Sequence, residues 1–401
     1  MSSENWGDRV MLTITLVLLG VGATTVFTAS SVIAMDDGGS TYSYLIRHCA
    51  KIFAGLFLLA VAWVVPLSLW GRLSPWLMLL ALAALALVLL PTPFRVSANG
   101  VYRWLSFGPV TFQPSEMAKV CLVIYLAWIL SRKGEKLKDL VHGYVPPFLV
   151  LAGTTALIAA EPSLGCAAAV FMIGFLLLFA AGARLVHMLG TVAAAIPALV
   201  LVAKLKPYQW ERITTFFSEE ADPLENGWQI AQSQIALGSG GLAGRWSDSL
   251  QKFHFLPDPH TDFIFSVLGE QWGFIGAVAV LGLLAALLWR GARAALAAVD
   301  PFARTLAVGL TGAIAVYAVL NVAVATGSIP TTGLPFPFLS YGGSALVANL
   351  FSVGLLLNVS RYNSARSYER MESMRGRKRA VEAKRRKGTS APPGRRGRGP
   401  R

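Results

Sequence analysis

Apolar runs of about 20 residues, the length a helix needs to cross a bilayer, recur along this chain and decide what it can become. They fall at roughly 10–34, 47–69, 75–91, 115–131, 144–160, 163–181, 184–203, 263–289, 302–326 and 341–360. The predicted fold is therefore all-α, a polytopic integral membrane protein with about ten transmembrane helices over residues 1–360. Composition agrees: 55% of the 401 residues are hydrophobic and only 14% are charged. The first run is too long for a signal-peptide core, and its flank, with Glu4, Asp8 and Arg9, lacks a positive leader, so it reads as a helix.

The net charge of +14 looks at first like a nucleic-acid signal, but residues 361–401 hold 15 Lys and Arg against Glu369, Glu372 and Glu382, which is +12 of it. That basic tail is almost free of apolar residues and reads as a disordered cytoplasmic segment attracted to anionic lipid. Without interleaved stacking aromatics, no nucleic-acid partner is expected. Cys49, Cys121 and Cys166 are scattered, with no CxxC spacing, and read as buried small hydrophobes.

An even number of spans puts both termini on one side, and the positive-inside bias makes that side the cytoplasm. Arg132, Lys133, Lys136 and Lys138 after the fourth run, and Arg290, Arg293 and Arg304 around the link after the eighth, agree. The segments at 92–114, 204–262 and 327–340 are then extracytoplasmic. The 204–262 loop is the longest and carries 8 of the 21 acids. Within it, Trp228–Leu237 reads as an amphipathic helix with Ile230, Gln234 and Leu237 close together, lying at the interface or partly re-entrant. Gly238-Ser-Gly-Gly-Leu-Ala-Gly244 then breaks it. No internal repeat supports an inverted-repeat transporter.

Three polar clusters fall on the outer side. In the first, Arg103-Trp104 precedes Gln113-Pro114-Ser115-Glu116-Met-Ala-Lys119, where Pro114 suits the first helical position. Glu116 and Lys119 share a face, either as a plain intrahelical ion pair or as a site inside the bundle. In the second, Leu256-Pro-Asp-Pro-His-Thr-Asp262 enters the eighth run. Thr261 or Asp262 can cap that helix, and a carboxylate there can equally serve as a base kept ionised by the helix dipole. His254 and His260 read as interfacial residues, since no further ligand spacing accompanies them. The third is Pro330-Thr-Thr-Gly333 through Ser340-Tyr341-Gly342-Gly343-Ser344, irregular backbone whose glycine-flanked amides suit an anion-accepting nest.

Together these residues resemble the SEDS family of peptidoglycan glycosyltransferases. The resemblance rests on Arg103-Trp104, Gln113-Pro-Ser-Glu-x-x-Lys119, Gln232-Ser233 with Gly238-Ser-Gly-Gly241, Pro257-x-x-His-Thr-Asp-Phe-Ile-Phe265, Pro330-x-Thr-Gly333 and Ser340-Tyr-Gly-Gly-Ser344. It covers almost everything but the tail. Gln251-Lys252 and Ala29-Ser-Ser31 look more like the division type, FtsW, than the elongation type, RodA.

The resemblance implies an inverting glycosyltransferase that polymerises lipid II at the outer face of the cytoplasmic membrane, releasing undecaprenyl diphosphate, at the division septum. It implies Asp262 as the catalytic base. Arg103, Lys119, Arg212 and Arg245 become candidates for the diphosphate, with a divalent cation, Mg or Mn, as a substitute; the metal ligands are unknown. Gln113, Ser115, Glu116, His260, Thr261, Ser340, Tyr341, Gly342 and Gly343 are the other expected substrate-binding residues. Where many relatives carry Gln-Pro-Asp-Leu-Gly, this chain has Glu161-Pro-Ser163-Leu-Gly165, so Ser163 is given no catalytic duty. Expected partners are a class B penicillin-binding protein and other division-complex membrane proteins. An elongation-type polymerase, a flippase of the same lipid and a division scaffold are the competing readings.

Overall fold

Pro66 sets the first boundary that hydropathy misplaces. The residue before it, Val65, is extended at φ −62° and ψ 130°, as the proline ring requires. Helix α1 (Arg9–Asp36) is therefore followed by α2 (Ser43–Val64) and α3 (Leu67–Leu89), with the break inside the stretch read as one span at 47–69. Pro75, expected at the start of the third span, instead lies inside α3. Its missing N–H leaves the Gly71 carbonyl without a helical partner, and Ser74 Oγ donates to that carbonyl at 2.9 Å, so the helix continues.

The computed structural model describes residues 8–36, 40–98, 101–108, 110–161, 163–205, 210–211, 214, 216, 227–245, 256 and 259–363. The remaining helices are α4 (Pro114–Lys133), α5 (Val145–Ala160), α6 (Leu164–Ala180), α7 (Leu185–Lys204), α8 (Trp228–Ser239), α9 (Ile264–Ala297), α10 (Pro301–Ala325) and α11 (Gly343–Asn363). Among the described residues nine helices are long and apolar enough to cross a membrane, and α6, with 17 residues, is a shorter apolar one. The all-α expectation needs one correction. Residues within 92–114 form a three-stranded antiparallel sheet, β1 (Arg95–Ala98), β2 (Val101–Phe107) and β3 (Val110–Phe112), in that spatial order. Valines and aromatics dominate these strands, a composition that favours pleated structure over coil.

Helix α4 is one of the most enclosed elements, packed among α3, α6 and α10. Small residues let backbones approach: Gly309 faces Val123 and Leu177, and Gly22 sits against the backbone of Phe338 and Leu339. Phe338 itself holds φ at +67° and is buried. By contrast α7 buries only Met188 and Ala203. The start of α1 and the end of α11 both meet the last turns of α9, through an Asp8–Arg290 ion pair and a 2.9 Å bond from Asn363 Nδ2 to the Ala294 carbonyl.

Helix α9 is interrupted at Gly273, whose φ is +67°. The freed groups are satisfied by the glycine run after α8: Phe274 and Ile275 donate to the carbonyls of Gly241 and Leu242 at 2.9 and 3.1 Å, and Arg245 donates to that of Glu270 at 2.9 Å. A Cβ at Gly240 or Gly244 would collide with the carbonyls of Gly269 and Gln271, which explains the run. Helix α8 forms as expected: Ile230 and Gln234 lie against Gly327 and Leu237 against Gly269, and the most buried positions are small. Ser233 and Ala236 are buried, while Ile235 is 51% exposed and Gln234 is exposed too. Small side chains win here because Ser233 must reach Ser266 Oγ at 2.6 Å and the Ala325 carbonyl at 2.8 Å.

Candidate active site

Asp262 stands just before α9, whose N-cap position is Phe263. The segment is clamped from the other side of the bundle. Asn321 Nδ2, from α10, donates to the Asp262 carbonyl at 2.8 Å and to the Leu334 carbonyl at 2.7 Å. Ser340 Oγ donates to the Thr261 carbonyl at 2.7 Å and accepts from Phe336 N–H at 2.8 Å. Tyr341 N–H donates to the His260 carbonyl at 2.9 Å. The second and third clusters are thereby one platform, with Asp262 Oδ2 beside Gly333, 3.5 Å from where a Cβ there would project. Gly333 is at φ +68°, a conformation that favours glycine.

The first cluster joins the same platform, since Gln113 N–H donates to Ser344 Oγ at 2.9 Å. Pro114 opens α4 as expected and Glu116 lies in its first turn. Glu116 and Lys119 form a 2.8 Å ion pair, each only 2% exposed. Tyr317 completes the pair: its hydroxyl donates to Glu116 Oε1 at 3.1 Å, its ring lies 3.5 Å beneath the Lys119 ammonium, and Cys166 Sγ is 3.4 Å from its oxygen. Ser115 is buried at the same helix end. Lys119 thus spends its charge inside the bundle on Glu116 and Tyr317, and the intrahelical ion pair is what forms.

Arg103 donates from Nε to the Glu161 carbonyl at 3.1 Å, which ties strand β2 to the end of α5. The Glu161 side chain is fully buried with no hydrogen-bond partner on either carboxyl oxygen, and burial raises its pKa to about 8 against the pull of Arg103. Ser163 is the N-cap of α6 and is buried. Arg245 is exposed, and its backbone closes the α9 break. Arg212, the tail from 364 to 401 and Gln251-Lys252 lie outside the described residues.

The expected glycine nest does not form. Neither Gly342 nor Gly343 has a positive φ, and the Tyr341 amide is used by His260. Gly343 is small for another reason: a Cβ there would stand 2.8 Å from Cδ of Lys51. That lysine belongs to a face of α2 absent from the candidates read in the sequence. Lys51 Nζ is 3.5 Å from the Tyr341 ring centroid and donates to the Tyr341 carbonyl at 3.4 Å. The rings of His48, Tyr44 and His260 lie 5.8, 5.5 and 5.4 Å from that of Tyr341. A charged residue inside an apolar run was the available signal. Among the described residues no group of three or more His, Cys, Asp or Glu could hold a metal.

Residues 9–365 match the cell cycle protein family FtsW/RodA/SpoVE. The chain is 38% identical over 354 residues to the probable peptidoglycan glycosyltransferase FtsW of Trichlorobacter lovleyi, covering 88% of this chain and 93% of that protein. It is also 38% identical over 362 residues to stage V sporulation protein E of Bacillus subtilis, covering 89% and 97%. Among solved structures it resembles a chain of a peptidoglycan synthase complex that coordinates polymerization and crosslinking, with a TM-score of 0.74, 32% identity, and 88% and 98% coverage. The rod shape determining protein RodA of Thermus thermophilus gives a TM-score of 0.67 at 29% identity, with 88% and 97% coverage. With the match running through nearly the whole helical bundle and both platform segments, this chain belongs to the FtsW/RodA/SpoVE family.

Proposed function

We infer that this protein is a peptidoglycan glycosyltransferase, an inverting polymerase of lipid II acting at the outer membrane surface in septal wall synthesis. The observation that carries the site assignment is the placement of Asp262. Its backbone is held just outside the helix by four hydrogen bonds that link the 260–262 and 334–341 segments and Asn321. The relatives named FtsW support the activity and the division role.

The reaction joins the 4-hydroxyl of an acceptor sugar to the anomeric carbon of a sugar diphosphate. Asp262 takes the hydroxyl proton as the new bond forms on one face and the carbon–oxygen bond to the diphosphate breaks on the other. A diphosphate leaves as a stable anion once its charge is neutralised, so one carboxylate and nearby cations suffice, whereas glycosidases need a second carboxyl to protonate a poor leaving group. A Mg or Mn ion would be carried in by the substrate's diphosphate rather than by a side-chain cage.

The synthase complex in which the solved relative was seen supports a crosslinking partner here, a class B penicillin-binding protein. Both ends of the bundle meeting one end of α9, with the basic tail following, supports cytoplasmic termini. The test is purified full-length protein with its transpeptidase partner and lipid II: glycan strands are expected from wild type and none from Asp262→Asn. Lipid scrambling in liposomes without polymer would instead establish a flippase.

A further inference from the structure

Tyr44, Arg47, His48 and Lys51 recur at helical spacing and line one face of the first two turns of α2. Packing against Tyr341 leaves two features of this face unexplained. His48 is fully buried, yet neither ring nitrogen has a hydrogen-bond partner, an arrangement folded proteins ordinarily avoid. Arg47 and Lys51 place two positive charges near the start of a membrane-spanning helix, and neither is in an ion pair with any described carboxylate. Like charges at that depth repel each other and lose hydration, and a bound anion relieves both costs. Two of the three donors of Lys51 are directed at the Tyr341 ring and carbonyl, and the third remains for a ligand.

We propose that Arg47 and Lys51 bind the diphosphate of the polyprenyl-linked sugar, with His48 and Tyr341 holding them in place. Helix α2, rather than Lys119, then supplies the positive charge. This rests on the lipid II reading above. Tyr341 N–H is bonded to the carbonyl of His260, two residues before Asp262, so anion site and base share one platform. A branched guanidinium and a flexible ammonium together suit a group with several charged oxygens.

The experiment is binding of undecaprenyl diphosphate to full-length protein in zwitterionic nanodiscs, with thermal melting of every variant and lipid II polymerisation measured alongside. Lys51→Gln and Arg47→Gln are each expected to weaken binding about tenfold or more, the loss typical of one charge-assisted hydrogen bond. Lys51→Arg, which keeps the charge if the glutamine variant melts early, should stay within about threefold of wild type. Inorganic diphosphate should compete, and phosphatidylglycerol should not. Unchanged binding in folded Lys51→Gln and Arg47→Gln overturns the site while leaving the lipid II reading intact, provided wild type still polymerises. Phosphatidylglycerol competing as well as undecaprenyl diphosphate overturns it too, as a general anionic-lipid surface. Failure of wild type to polymerise with its transpeptidase partner present overturns the underlying reading instead.

Discussion

Lys119 and Lys51 both lie within membrane-spanning helices, and their surroundings are opposite. Lys119 is sealed in the bundle, paired with Glu116 at 2.8 Å and capped by the Tyr317 ring, so each charge is answered by a neighbour. Lys51 is part-buried against Tyr341, with Arg47 on the same face and no described carboxylate to answer either. Asp262 shares the platform of Lys51: its backbone is clamped by Asn321, and its carboxylate lies beside the turn at Gly333. The sealed pair with Tyr317 serves packing, and the Arg47–Lys51 charge at the outer edge is the part we assign to a substrate.

Removing half of the compensated pair should break this comparison most visibly. Lys119→Met strands Glu116 in the interior and is expected to cost about 3–5 kcal/mol, seen as a large drop in melting temperature. Adding Glu116→Leu should restore most of it. If Lys119→Met melts like wild type, the contact of this pair with Tyr317 is not what holds α4 to α10.

Next comes the clamp. Asn321→Ala leaves one buried and one part-buried carbonyl without this donor, at a cost of about 1–3 kcal/mol. Polymerisation per folded molecule should fall along with stability, because the same amide positions Asp262. Asn321→Asp, which keeps the shape but loses the donor, should behave similarly, and wild-type activity in both would place Asn321 outside the site.

Gly343→Ala sharpens the other side. Its Cβ would press on the flexible end of Lys51, so the fold should tolerate it while polymerisation falls a few-fold. An unchanged rate would indicate that the position of Lys51 does not matter.

The smallest effect concerns pH. Glu161 has a folded-state pKa near 8, above the ordinary 4.5, so its burial favours the protonated acid. The associated stability is full below about pH 4.5 and is lost as pH rises through about 8. Glu161→Gln should remove that dependence and melt higher than wild type at alkaline pH. Parallel melting curves across this range would contradict it.

Hydropathy made the helices legible because crossing a bilayer imposes length and apolarity together. Their edges were less legible: Pro66, Pro75 and Gly273 act through single hydrogen bonds that no window average registers. The Asp262 platform was visible as two motifs, but Asn321, which joins them, stands inside an apolar helix with no motif of its own. Arg47, His48 and Lys51 become a site only because Tyr341, some 290 residues away in the chain, is folded against them. The short sheet was missed because its strands are brief and sit between spans, where a loop is the simpler expectation.

The most direct test sets Asp262→Asn beside Lys119→Met, each purified full length with the transpeptidase partner and followed by melting and by lipid II polymerisation per folded molecule. A crossed result is expected. Asp262→Asn should melt like wild type and lose polymerisation by about 100-fold or more, as removal of a general base does. Lys119→Met should melt far lower while its folded fraction still makes strands. Polymerisation at the wild-type rate by Asp262→Asn would contradict the central claim.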